Sequence, residues 1–303
     1  MSALRQLLGL GAAAPASGEI DEARYQKWVI EPVRVGLLAR ARELWRYRRI
    51  LWFLAERRIK DRYEDTTLGI FWLFARPLMP IFISTVIFGR FLRVPSDGVP
   101  YFLFFLAGSS CWRIFERSVQ WVTRSLDSNR GLIKKVYFPR LIAPISSVAP
   151  ALAEGGILLT LLVLASIFFY FHDGVFYLRF GLPMVAALVA IAMAMLLAIS
   201  VGLWTSVLQV KHRDMQYSIR YFTQLWQYVT PVFFPLSSVP PKYHLAFFIN
   251  PMTPIVEMYK WGLLGIGQFP GVELMLGVGV MLLIFGAGVV YFNNSEAASV
   301  DRL

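Results

Sequence analysis

Residues 182–208 read LPMVAALVAIAMAMLLAISVGLWTSVL, a run without one charged side chain. A helix needs about 20 apolar residues to cross the ~30 Å hydrocarbon layer of a bilayer, and this run exceeds that length. Working outward along the chain, residues 68–89, 101–122, 144–171, 219–234 and 272–292 share its apolar character. The stretch 219–234 is the shortest and meets Pro231 and Pro235, which remove backbone donors and interrupt helices. Of 303 residues, 57% are hydrophobic and 16% charged, a balance that excludes a simple water-soluble domain. The expected fold is an all-α integral membrane protein with six transmembrane helices in a domain spanning 68–292.

The formal charge of +11 could suggest nucleic acid, but the Lys and Arg residues flank the hydrophobic spans, as they do in proteins oriented by a bilayer. Nucleic acid is therefore not an expected partner. With an even number of spans both termini share a side, and that side carries 22 of the basic residues. The opposite side has 5, namely Arg90, Arg93, Arg179, Lys242 and Lys260. The positive-inside rule then places both termini in the cytoplasm.

Residues 1–39 read as a cytoplasmic tail, although Leu7 to Ala14 superficially resembles a short signal peptide. Cleavage there would put the next Arg-dense segment outside, against the same rule. Residues 40–67 form an interface segment whose helical part places Leu44, Tyr47, Leu51, Leu54 and Ala55 at helical spacing, flanked by Trp45 and Trp52. Such a basic amphipathic helix suits the headgroup plane, or equally a bed on the protein's own cytoplasmic face. Residues 237–271, between the fifth and sixth spans, mix prolines such as Pro240, Pro241, Pro251 and Pro254 with Phe247, Phe248, Tyr259 and Trp261. That is too apolar for an exposed loop and too broken to cross, which suggests a re-entrant helical hairpin. Residues 293–303 close the chain as a cytoplasmic tail.

One cysteine, Cys111, cannot form an intrachain disulfide, and His172, His212 and His244 are scattered without ligand spacing, so no metal site is expected. No Gly is followed by Lys anywhere, so the phosphate-cradling loop of ATP-binding proteins is absent. If ATP drives this protein, another chain binds it. The side chains that stand out are charges inside spans, Arg76, Arg113, Glu116, Arg117 and Glu154, because intramembrane charges face a bundle interior or a wet cavity. Arg113, Glu116 and Arg117 fall at i, i+3 and i+4, so Glu116 can pair within its own helix and leave one Arg partly free. A ligand site and a structural ion pair both fit that spacing. Glu154, among small residues, reads first as a packing position paired across a helix interface.

The order of features resembles the membrane subunits of type-2 ABC exporters that handle O-antigen, capsule or teichoic-acid polymers. The segments that carry the resemblance are Arg62-Tyr63 with Thr67-Leu68-Gly69, Trp72 and Pro77-Leu78; Pro100-Tyr101 through Gly108 to Trp112 and Phe115; and Asn129 through Lys134-Lys135-Val136-Tyr137-Phe138-Pro139-Arg140. Arg213-Asp214 and Thr230-Pro231 through Asn250-Pro251-Met252 continue it. Residues 1–40 extend beyond it, and the second span is more charged than the family pattern.

The resemblance implies a homodimeric, multi-pass permease of the bacterial inner membrane that is not itself an enzyme. It pairs with two copies of a cytoplasmic ATPase, which bind ATP and Mg, so this chain needs no cofactor of its own. The implied cargo is a lipid-linked polysaccharide, most simply O-antigen on polyprenyl diphosphate; a capsule or teichoic-acid polymer, or a small lipid or drug, fits the same architecture. Candidate cargo-binding residues are Arg62, Tyr63 and Arg76 at the cytoplasmic end of the first span, since guanidinium pairs bidentately with phosphate oxygens. Arg113 and Arg117 join them, as do Tyr101, Trp112, Trp204 and Trp226, whose rings offer flat faces to sugars. Candidate ATPase-coupling residues are Asn129, Leu132, Lys134, Lys135 and Tyr137 in the first cytoplasmic loop and Arg213, Asp214 and Tyr217 in the second.

Overall fold

Apolar residues at helical spacing, with prolines mostly at helix starts and breaks, give a chain built from helices alone. The computed structural model describes residues 37–63, 69–133 and 138–300, all within the unit Gly36–Leu303, and no strand occurs among the described residues. The interface segment is two helices rather than the single one expected, α1 (Leu37–Arg46) and α2 (Arg48–Tyr63), broken by a turn at Tyr47. Helix α3 (Gly69–Ser84) contains Pro77 and Pro80 and runs on as a wider π-helical segment, Thr85–Phe91. Then come α4 (Tyr101–Thr123), the short α5 (Ser125–Ser128), α6 (Arg130–Ile133) and α7 (Ile142–Ser146), and α8 (Ala149–Asp173). The chain closes with α9 (Leu182–Lys211), α10 (Met215–Tyr228), α11 (Pro241–Ile249), α12 (Met252–Leu264) and α13 (Val272–Val300).

Among the described residues four stretches of helix are long and apolar enough to cross a membrane: Phe74–Phe91, Ile142–Asp173, Leu182–Lys211 and Val272–Ser295. Two of the six expected spans differ from these. Helix α10 ends at Tyr228, ahead of Thr230-Pro231, because Pro231 has no amide to extend the ladder; its 14 residues reach only about 21 Å at 1.5 Å each. Helix α4 has the length, with 23 residues, but carries Arg113, Glu116 and Arg117. Its surroundings account for the charges. Seventeen of its residues are buried in the protein, where it packs against α8, α9, α10 and α12. Helices α8, α9 and α13 instead leave most of their apolar surface uncovered by their own chain. Polar residues therefore sit on the enclosed helix and apolar ones on the outer helices.

Between Pro235 and Gly271 lie the two short helices α11 and α12. Twelve of the 13 residues of α12 are buried, and it crosses α9 at Gly262, where an added Cβ would stand 2.7 Å from Pro183 O and 2.8 Å from Ala187 N. Only a residue without a side chain lets the two backbones approach so closely. Helix α13 continues to Val300, past the end of the expected sixth span.

Candidate functional site

The charges within α4 are held by a relay of contacts that one sequence cannot show. Arg117 Nε lies 3.3 Å from Glu154 Oε2, joining α4 to α8. Arg117 Nη1 donates to Gln120 Oε1 at 3.4 Å, and Gln120 Nε2 donates to Glu116 Oε1 at 3.1 Å. Glu116 therefore takes its hydrogen bond from Gln120, on its own helix. The Arg117 side chain reaches the neighbouring helix instead, where Glu154 waits among small residues. Arg113, one turn above, is half-buried.

A second polar cluster lies where α10 breaks. Trp226 Nε1 donates to Asn250 Oδ1 at 2.9 Å, Asn250 Nδ2 donates to Thr230 Oγ1 at 2.9 Å, and the Met252 amide donates to Asn250 Oδ1 at 3.1 Å. Every polar atom of Asn250 that can brace the break does so. Lys260, 1% exposed, donates to Pro231 O, lies 3.5 Å from Glu257 Oε1 and sits 3.9 Å from the Phe104 ring centroid. A cation at the end of a helix meets carbonyls that have no partner inside it. Gly108 leaves room for the Lys260 stem, since a Cβ there would stand 3.0 Å from Lys260 Cε and 3.1 Å from Val232 O. The charge count puts Lys260 on the side opposite the termini, and the structure adds that it is sealed in the core. The signal was available, because Glu257 and Lys260 stand three apart in an otherwise apolar helical run, as buried ion pairs do.

The aromatic candidates fall in different places. Trp112 is fully enclosed, with its ring 6.1 Å from that of Trp226 and 5.2 Å from Phe115. Tyr101 is buried and its hydroxyl donates to Phe233 O at 2.6 Å. Trp226 is half-buried with its ring against that of Trp112, whereas Trp204 is stacked on Tyr291 with centroids 5.4 Å apart. Arg76 is exposed on α3, its guanidinium 6.0 Å from the Trp72 ring. The side chains of Arg62 and Tyr63, and residues Lys134, Lys135 and Tyr137, lie outside the described residues.

Of the coupling candidates, Leu132 meets the interface helices. Asn129 Nδ2 donates to Ser125 O at 2.7 Å, closing the turn after α5, and Arg130 Nε pairs with Asp127 at 2.7 Å. The apolar stripe of α1 and α2 packs here: Leu54 joins Phe138 and Ile142 in a buried cluster, with Leu44, Tyr47, Ile50, Leu51 and Leu132 against it. Arg58 Nη2 donates to Ser128 Oγ at 3.0 Å. Burial, and then the neighbouring Arg57, pull the Arg58 guanidinium down to about 10, still well above neutrality. Trp45 and Trp52 face away, each about 70% exposed. In the second loop Arg213 and Asp214 are exposed; the Arg213 carbonyl accepts from Gln209 at 3.1 Å and the Asp214 carbonyl accepts the amides that start α10, with Tyr217 exposed beside it. Among the described residues no group of three or more His, Cys, Asp or Glu could hold a metal ion.

Comparison with known proteins places these features in context. The family model described as "ABC-2 type transporter" matches residues 49–264. The O-antigen export system permease protein RfbA of Myxococcus xanthus is 26% identical over 84% of this chain and 96% of its own length. Its namesake from Klebsiella pneumoniae is 25% identical over 79% of this chain and 90% of its own. The polysialic acid transport protein KpsM of Escherichia coli is 23% identical over 80% of this chain and 92% of its own.

Proposed function

This chain belongs to the ABC-2 type transporter family, and from that premise we propose that it is the permease of a polysaccharide exporter, moving a lipid-linked polymer from the cytoplasmic leaflet of a bacterial inner membrane to its outer side. The observation that carries this reading is the cargo named for its relatives, O-antigen and polysialic acid, across nearly their whole lengths. The polar face on the enclosed helix α4 supports it, because a charged face inside an apolar bundle suits a hydrophilic passenger.

In this reading the functional unit is a dimer of the chain with two copies of a separate ATPase, which supplies the nucleotide site this sequence lacks. Six spans cross the membrane: the four long apolar stretches, the enclosed α4, and α10 extended by residues 229–234. Helices α11 and α12 form the re-entrant hairpin near the outer exit, and both termini are cytoplasmic. Residues 129–137 and 213–217 take up the ATPase stroke, and the contact of α2 with the first loop carries it to the headgroup plane. Arg62 and Arg76 draw in the carrier diphosphate, and rings such as Trp226 and Trp204 line part of the sugar path, with Trp112 backing Trp226 and Tyr101 bracing the bend at Phe233.

The test is co-expression with the cognate ATPase in cells that make the lipid-linked polymer on the cytoplasmic side. Polymer should become accessible outside the inner membrane only when both chains are intact. Failure of the two to associate, together with polymer retained inside, would overturn the reading.

A further inference from the structure

Two outward apolar stripes converge on the loop between α8 and α9. On α8, Leu164, Ile167, Phe168 and Phe171 are exposed at helical spacing, and on α9 Leu182, Val185, Leu188 and Val189 are exposed in the same way. In a helix that crosses a membrane, such an uncovered stripe is the face that lipid covers. Residues 155–171 carry no charge, a run of about 26 Å at 1.5 Å per residue, close to the thickness of the hydrocarbon layer. His172 and Asp173, which pair at 2.6 Å, therefore stand at the edge of that layer, and the loop follows them.

The loop is fixed on its inner side and aromatic on its outer one. Tyr177 sets its ring edge-on to Phe169, with centroids 6.3 Å apart, and Leu178 is buried in the core. The Arg179 amide donates to Leu263 O at 2.7 Å, and the Arg179 side chain lies over Gly265, where an added Cβ would overlap its guanidinium. Gly265 ends α12 with φ +70°, so this cation also meets the negative end of that helix. Facing outward, the Tyr170 and Phe176 rings lie 6.2 Å apart, and Phe176 stacks on Phe180 at 5.7 Å. All three rings are exposed. A contiguous apolar patch of this kind marks a contact with protein or membrane. Its position decides for the membrane, because it joins the ends of two lipid-facing stripes at the depth where bilayers hold aromatic rings.

We propose that residues 168–182 form a foot seated among phospholipid headgroups at one membrane face, and that Arg179 ties this foot to the end of α12, so that the bilayer surface sets the depth of the short helices between α10 and α13. The proposal goes beyond the export reading and needs only that α8 and α9 cross the membrane. Tyr177 and Leu178 hold the loop to the core, the outer rings grip the lipid, and Arg179 carries the position of one to the other.

The full chain is placed in nanodiscs of phosphatidylethanolamine and phosphatidylglycerol, with an environment-sensitive dye on Phe176→Cys, Phe180→Cys or, as a control, His212→Cys at an exposed loop position. Dye at 176 and 180 should be quenched about twofold or more by a lipid nitroxide held near the glycerol and be shielded from aqueous iodide, with the reverse at 212. Iodide quenching at 176 and 180 equal to that at 212 overturns the foot. Shielding from both quenchers also overturns it, because protein would then cover the patch. The tie is read by hydrogen exchange in the same nanodiscs, taken relative to α4 so that a general loosening cancels. Phe176→Ser with Phe180→Ser, and separately Arg179→Gln, should quicken exchange over residues 261–267 about tenfold. Arg179→Lys keeps the cation and should restore part of the protection. Unchanged exchange there in both variants overturns the tie. None of these readouts needs polymer, ATP or the ATPase, so the export assay stands or falls separately.

Discussion

Replacing Lys260 by Met would remove a cation that is 1% exposed and strand Glu257, whose side chain is 9% exposed, without its counter-charge. Breaking a buried pair from one side costs about 3–5 kcal/mol, because the remaining charge stays desolvated. Lys260→Met is therefore expected to lower thermal stability sharply in detergent, and Lys260→Met with Glu257→Leu to recover most of the loss. A thermal-melt double-mutant cycle checks both. Arg117→Gln is expected to cost only about 1 kcal/mol by the same measurement, since the Arg117 side chain is 38% exposed and its pair with Glu154 is screened. At this scale the sequence showed which charges interrupt apolar stretches but not which would touch. Arg113, Arg117 and Glu154 stood out as such charges; the Arg117–Glu154 pair was not legible, because it joins helices whose relative rotation depends on packing. Beyond its spacing from Glu257, the burial of Lys260 was not legible, because it depends on how α12 packs against α4 and α9.

Between helices, contact geometry sets the tolerances. Gly262→Leu would drive a side chain into Pro183 O and Ala187 N, backbone atoms that cannot swing aside. It should lower the melting temperature by the equivalent of about 1–3 kcal/mol, with Gly262→Ala smaller but in the same direction. In the interface segment, Leu54→Ala should open the cluster with Phe138 and Ile142 at a cost of about 2–5 kcal/mol, confined to that cluster. Hydrogen exchange should then quicken in α2 and the first cytoplasmic loop while α4 stays protected. The amphipathic stripe of this segment was plain in the sequence, as was its basic outer side. What the stripe would rest on was not, because a bilayer and a protein surface demand the same periodicity. Helix α4 shows the reverse: it read as a span like the others despite its charges, and the structure buries 17 of its 23 residues in protein.

Across the whole molecule, two loop contacts bear on the proposed topology. Ser237 Oγ donates to Asp97 at 2.7 Å, and Arg58 donates to Ser128 at 3.0 Å. The first ties the loop after α3 to the segment after α10, and the second ties the interface helix to the loop after α4. With both termini cytoplasmic, each contact joins segments on one side of the bilayer, as it must. A cysteine at exposed Lys242 should accordingly react with a membrane-impermeant maleimide in intact spheroplasts, and one at exposed His212 only after lysis. The native Cys111 is fully buried and should stay silent in both, so the labelling needs no cysteine-free background. One further consequence follows from the sealed Lys260. Its stem rests over Gly108, its ammonium holds the Pro231 carbonyl, and its own helix is pressed backbone to backbone on α9. These pieces form a single keystone that cannot part without exposing a bare charge, so in the proposed exporter any opening runs along the seams around that keystone and not through it.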